Sequence, residues 1–423
     1  MCENSRRYEY NGYLQIAMRK ITFFFLFIFL LASQVFAWPL NRFWSGGNPW
    51  WLNDSLTFWA PFDDPANPLY LVKGTGSLSF TRATAATYVH PTTGLVTSAA
   101  SGQLRIESNG ALIEGQRTNL ALWSETLGLA ATWVPSNMTV DNNTVVAPDG
   151  ATTAETLTAS ADNATLLQSY TGTVAAYTGS YYLKRKTGTG NVQVSADNTT
   201  WTTCTINAST WTRCSDTRTV TVATYYHGIR LATNTDAVYA WGGDAELGAF
   251  ASSYIGPTDT AAVTRNKDVL TAPVSGNFSE VTGTITLTVT QGTNTSASFY
   301  WDSSTPNADA EDGNWAYLHA TQGTTFTGKR LGVGLYNIQM SQSVGPATNK
   351  VATTWSSVRA QLAKDGVVGT EDTSTTYSSA TPSTITIGRT QGADYIFTWG
   401  HIKDFRIWNR SFSDSELQTI TAP

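Results

Sequence analysis

Between Trp301 and Trp315 the chain places Asp302, Asn307, Asp309, Glu311, Asp312 and Asn314. Four carboxylates and two carboxamides on one loop form the kind of donor set a hard cation requires, because calcium takes six to eight oxygens from flexible loops. Planar indole rings at either end could stack on the apolar faces of sugar rings. The stretch is therefore read as a candidate site, with Asp302, Asp309 and Asp312 as calcium ligands and Trp301, Trp315 and Asn314 as glycan contacts. A solvated acidic loop, with both tryptophans in the core at strand ends, is the alternative. Tyr225, Tyr226 and His227 are the second choice for a binding face.

Catalytic chemistry is harder to assemble. A hydrolase needs a nucleophile with its base, a pair of carboxylates, or a metal set. The four histidines (His90, His227, His319 and His401) are scattered, and no His-Glu-x-x-His or Gly-x-Ser-x-Gly pattern occurs. Gly323 to Lys329 has the spacing of a phosphate loop, but no Ser or Thr follows the lysine and the surroundings read as strands. Asp244 and Glu246 are the nearest approach to the paired carboxylates of a glycosidase, and a structural role is expected for them. Cys204 and Cys214 each follow a tryptophan by three residues, with Asn207 to Thr210 between them. They read as facing positions of a hairpin that an oxidising compartment would join in a disulfide. Lys184, Arg185 and Lys186 form a short basic run and read as a solvated strand edge.

The elements that must carry these residues are strands. Thr284 to Thr290, Arg218 to Val222 and Thr384 to Ile387 alternate apolar residues with threonine, which suits half-buried antiparallel sheet. Turn signals recur at Pro148-Asp149-Gly150, Gly188-Thr189-Gly190 and Asp365-Gly366. One short helix is expected over Ser413 to Ile420, with Ser413 and Glu416 placed as a capping box. The fold class is therefore all-β, two antiparallel jelly-roll sandwiches in series, with the boundary near residue 272. Trp38, Trp44, Trp50, Trp51 and Trp59 crowd a proline-rich stretch that reads as an irregular arm.

Composition agrees. Only 13% of residues are charged and 12% are aromatic, with 15 tryptophans. Disordered chains show the reverse. Net charge is −5; without residues 1–37 it is −7, with 22 basic residues against 29 acidic. No basic face is available to displace counterions from phosphates, so nucleic acid is not an expected partner. Arg19 and Lys20 precede an apolar run from Ile21 to Ala32, and Val35-Phe36-Ala37 ends in a small residue. This is the pattern of a secretory signal; an uncleaved anchor or a start at Met18 are the alternatives.

Residues 79–124 resemble the leader segment of phage head-spike and tail-fibre proteins. The resemblance rests on Phe80-Thr81-Arg82-Ala83, Thr87-Tyr88, Leu104-Arg105-Ile106 and Ile113-Glu114-Gly115-Gln116-Arg117-Thr118-Asn119-Leu120. It continues through Ala147 to Glu155, Tyr182 to Gly188 and Trp241 to Ile255. Gly243-Asp244 and Gly256-Pro257 depart slightly from that pattern. Trp355 to Gly366 and Gly400 to Arg410 are similar to laminin-G/concanavalin A-like sandwiches. After the leader at 1–37, which phage fibre proteins usually lack, the resemblance implies an arm and spike-type segment at 38–115, a carbohydrate-binding-like jelly roll at 116–271 and a laminin-G-like sandwich at 272–423. It implies a non-catalytic virion or surface protein, extracellular or virion-borne, that binds a glycan or another surface ligand beside other virion or surface proteins. A homo-oligomer is left open, and calcium is the one cofactor expected. Accessory modules of a secreted carbohydrate-active enzyme and a bacterial surface adhesin are the other readings.

Overall fold

The threonine-alternating stretch becomes the strand Gly283–Gln291, with Ile285, Leu287 and Val289 in the core. Its threonine face is covered too, and Thr284 Oγ1 donates to the carbonyl of Arg410 at 2.8 Å. The computed structural model describes residues 49–129, 131–221, 224–291, 298–303, 313–319, 323–330, 333–340, 347–373, 382–391 and 397–423. Residues 54–423 form one unit. It is built almost wholly from antiparallel strands, arranged as two sandwiches.

The first sandwich is a jelly roll. One sheet runs Thr212–Val220, Ala175–Thr187, Ala237–Leu247, Ala154–Ala159, Met138–Val145. The other runs Thr202–Cys204, Val192–Ser195, Thr224–Leu231, Ala164–Thr171, Val134–Ser136. From Ala154 the chain crosses between the sheets at almost every connection, which is the wrapping that defines the topology. Its core holds Trp133, Leu157, Leu166, Tyr181, Leu183, Ile229 and Val238, all fully buried. Cys204 and Cys214 are joined in a disulfide, with Cα atoms 5.9 Å apart. They are not hairpin partners as expected. Each sits on the edge strand of a different sheet, so the bond ties the two sheets together at one side of the sandwich.

The second sandwich is discontinuous. One sheet runs Val367–Val368, Arg359–Lys364, Thr348–Ser356, Gly283–Gln291, Gly400–Trp408, Gly110–Ile113, Ile106–Glu107, and Leu56–Ala60 also pairs with Gly400–Trp408. The other runs Ser79–Thr81, Val269–Pro273, Thr384–Ile387, Ser298–Asp302, Gly313–His319, Gly323–Arg330, Val333–Met340. Four strands from residues 56–113 thus belong to the sandwich expected only after residue 272, and the jelly roll is inserted into it. The series arrangement and the arm at 38–115 are corrected accordingly. Trp59 lies in a strand, its indole donating to Asp404 at 2.7 Å and lying 4.6 Å from the Arg406 guanidinium. Gly323 to Arg330 is a strand between two others, which rules out a phosphate loop there.

Local signals are met closely. Asp365 and Gly366 take φ of 49° and 78°, the two positive values of a two-residue hairpin turn. The helix Asp414–Thr421 carries the full capping box between Ser413 and Glu416. No helix among the described residues is long and apolar enough to cross a membrane, and residues 1–48, with the expected leader, lie outside the described residues.

Two predictions follow from these placements. A fragment of residues 275–423 lacks the strands Leu56–Ala60, Gly110–Ile113 and Val269–Pro273, so it should show no cooperative thermal melt by circular dichroism. A sharp transition in that fragment would mean the earlier strands are dispensable. Glu155 is wholly buried; one carboxyl oxygen accepts from the Leu127 amide at 3.2 Å and the other has no partner among the described residues. Burial pushes this carboxyl up to about 8. Its ordinary value in an unfolded chain is about 4.3, so the fold holds a proton there that the unfolded chain releases. The resulting stability is present below pH 4 and is lost as pH rises to 8. Glu155→Gln should flatten the fall in melting temperature between pH 5 and pH 8; an unaltered fall would show that Glu155 is ionised in the fold.

Candidate functional site

Of the predicted acidic site, Trp301, Asp302 and the Asn314 side chain lie among the described residues, and each is buried. Trp301 is fully buried in the sandwich core, 5.9 Å from Trp355 and 6.4 Å from Phe278 between ring centres, so it presents no face to a sugar. The Asp302 carboxylate is buried and accepts from Thr390 Oγ1 at 2.9 Å and the Gln391 amide at 2.7 Å. It holds a turn rather than facing an open loop. Asn314 is buried as well and donates to Glu280 at 2.6 Å. The sandwich core takes Trp301 and the Thr390–Gln391 segment covers Asp302 on the opposite face, which composition alone did not show. Asp309, Asp312 and the ring of Trp315 lie outside the described residues. No group of three acidic, histidine or cysteine side chains that could hold a metal occurs among the described residues.

The densest polar chemistry lies where the chain passes from one sandwich to the other. Arg105 donates to Glu114 at 2.8 Å and to Asp268 at 2.6 Å. Arg82 reaches the other oxygen of Asp268 at 3.1 Å, and Arg265 lies 3.0 Å from Glu114. All five side chains are buried. Main-chain carbonyls take much of what remains: Arg82 donates to Ala100 and Gln103, Arg265 to Gly115, and Arg105 to Thr87. Burial alone would raise the Glu114 carboxyl. Arg265 and Arg105, with the hydroxyl and amide of Ser253, hold it instead well below the usual carboxylate range. Asn119 locks the next step. Its amide donates to Gly243 and Ile255, and its oxygen accepts from Ala121 and Ala245. Arg117 lies between the rings of Phe250 and Trp399, at 4.9 and 4.6 Å from their centres.

Beside this network the hairpin Ala86–Val89/Val96–Ala99 leans on the outer face of the jelly roll, where Val96 packs with Trp241 and Tyr254. A cavity of about 350 Å³ opens between them, within the range of small-molecule sites. Tyr88, Tyr182 and Tyr254 supply rings, and Glu107, Arg213 and His401 supply charge or donors; Thr87 and Ser253 also line the cavity, but the Thr87 hydroxyl donates to the Tyr254 carbonyl and that of Ser253 to Glu114. His401 Nε2 lies 2.9 Å from Glu107, whose other oxygen accepts from the Val89 amide at 2.7 Å. Arg213 reaches Asp244 at 3.2 Å and its guanidinium sits 5.6 Å from the Tyr182 ring centre.

No family model matches the chain, and no curated protein does. Parts of it are similar to solved structures at low scores. The CBM40 of Ruminococcus gnavus IT-sialidase, bound to α2,3-sialyllactose, matches at 16% identity and a TM-score of 0.30, over 34% of this chain and 84% of that one. Leech intramolecular trans-sialidase matches at 20% and 0.29, over 34% of this chain and 23% of that one. The receptor-binding domain of botulinum neurotoxin C/D mosaic serotype matches at 11% and 0.29, over 36% and 40%. The chain spans less than half of the last two.

The cleft offers recognition chemistry. Asp244 and Glu246 are both buried and already engaged: Asp244 by Arg213 and the Ile255 amide, Glu246 by the amide and hydroxyl of Ser252. Burial and the adjacent Glu246 push Asp244 upward. Neither faces an open substrate position. Tyr225 and His227 point into the core while Tyr226 points outward, as period two requires. Sequence reasoning missed the cleft because its residues come from six separate segments. The signal was present, since Thr87, Tyr88, Glu114 and Tyr254 all fall in the spike-type motifs.

Breaking a buried charge pair leaves its partner uncompensated and costs about 3–5 kcal/mol. Glu114→Gln should therefore lower the unfolding free energy by about 3 kcal/mol or more in denaturant titrations. A loss below about 1 kcal/mol, the scale of an exposed pair, would show that the network is not what secures the junction.

Proposed function

We propose that this chain is a non-catalytic binding protein that takes a glycan in the cleft between the hairpin 86–99 and the jelly-roll face. One observation carries the reading: three tyrosine rings, Arg213 and the His401–Glu107 pair converge on one cavity. Sugars present both apolar ring faces and hydroxyls, so they call for aromatic surface with a few fixed donors and acceptors. The engaged state of Asp244 and Glu246 supports binding over hydrolysis. The virion or surface setting is proposed on the spike-type sequence motifs, whose charged residues build the buried junction and so serve architecture first.

The test is a glycan array probed with the full chain, followed by titration of any retained glycan against Tyr88→Ala. An aromatic anchor in a binding site is worth about 2 kcal/mol or more when truncated, so affinity should fall more than tenfold with the fold intact. No retained glycan, or undiminished binding by the variant, would overturn the assignment of this cleft.

A further inference from the structure

The run Lys184-Arg185-Lys186, expected at a strand edge, ends the strand Ala175–Thr187, whose pairing with Thr212–Val220 stops at Leu183 while that with Ala237–Leu247 continues to Thr187. The strand's outward side chains run Tyr182, Lys184, Lys186. Tyr182 lines the cleft; Lys184 is two residues further along the same face, about 6.6 Å away. The Lys184 ammonium sits 4.8 Å from the Trp211 ring centre and 5.4 Å from that of Tyr239, and the Lys186 ammonium sits 5.7 Å from Tyr239. Every other strand cation of this sheet is ion-paired: Arg185 with Asp236, Arg213 with Asp244, Arg218 with Asp216. Lys184 and Lys186 have no carboxylate partner among the described residues. On the opposite sheet Arg230 also lies over a ring, Trp201, but Gln193 already accepts from it.

Two ammoniums held on rings without a carboxylate partner place two positive charges on the face next to the cleft, in a chain of net charge −5. Rings hold lysine stems without consuming their donors, so three N–H groups on each nitrogen remain for an anion. We infer that the glycan taken by the cleft is acidic, and that its carboxylate or sulfate groups lie on Lys184 and Lys186 along the Trp211–Tyr239 row. This rests on the glycan reading of the cleft and narrows its ligand class.

The test uses the full chain and three probes: oligogalacturonate, its methyl ester and sulfated dextran oligosaccharide. The inference expects at least one anionic probe to bind about tenfold tighter than the neutral ester, the effect of two half-exposed charge contacts. The doubly substituted variant Lys184→Gln/Lys186→Gln should lose that preference and its salt dependence while binding the ester unchanged. Preference for oligogalacturonate points to carboxylates, and preference for sulfated dextran to sulfates; either supports the inference. Equal binding of acid and ester, or a preference that survives in the variant, overturns the acidic ligand but leaves the glycan reading standing, because the ester still binds and Tyr88→Ala still abolishes it. Retention of none of the three, with an empty glycan array, overturns both.

Discussion

Three guanidiniums and two carboxylates, packed out of reach of water, hold the point where one sandwich is threaded into another. Charges removed from water are costly unless their partners are close and well directed. Here Arg105 spans Glu114, at the start of the passage into the jelly roll, and Asp268, just after the return. Arg82 takes the remaining oxygen of Asp268, Arg265 shares with Arg105 one oxygen of Glu114, and the Ser253 amide takes the other. Apolar packing would tolerate sliding of the two passing segments. Hydrogen-bonded charges do not, because each N–H must meet a particular oxygen. The network therefore fixes the register in which chain leaves and re-enters, and with it the pairing of Val263–Arg265 against Arg117–Asn119.

The cleft depends on the same residues. Arg105 donates to the Thr87 carbonyl of the hairpin, and Ser253, which binds Glu114, lines the cavity together with its neighbour Tyr254. Glu107, in the strand that begins just after Arg105, ties the Val89 amide to His401. Walls that come from the hairpin, the jelly roll and the closing strand thus meet because one buried cluster sets their spacing. A ligand bound there would touch side chains whose positions are fixed before it arrives, which lowers the ordering cost of recognition.

Much of the fold could be read from residue pattern. Period two located Gly283–Gln291 and Thr384–Ile387, Asp365-Gly366 announced its turn, and Ser413 with Glu416 announced the helix. The insertion escaped because its signals are short. Ile106–Glu107 and Gly110–Ile113 are two and four residues long, too brief for alternation to register. Arg82 and Arg105 also read as surface residues by type, although both are buried. Trp301 and Asn314, read as glycan contacts, misled for a related reason. Both stand beside carboxylates in sequence, but strand geometry turns them into the sandwich interior, a direction set by partners far along the chain. The cleft was hidden by dispersal, though several of its residues sat inside the motifs that carried the resemblance.

The distribution of charge then separates architecture from recognition. Arginines of this chain mostly face inward or along strand edges and are matched by carboxylates, which suits a planar fork with several fixed donors. Acidic residues that might have served hydrolysis, Asp244 and Glu246, are consumed by the same matching. What remains free on the jelly-roll face is of another kind: tyrosine rings at the cleft, then lysine ammoniums resting on Trp211 and Tyr239. A lysine held on a ring keeps a full charge and all its donors while its stem is already ordered. Such a group contributes to an electrostatic contact without the entropy loss that weakens most exposed pairs. The interior of the molecule thus uses its charges to set geometry, whereas Lys184 and Lys186 on the outer face have no carboxylate partner among the described residues.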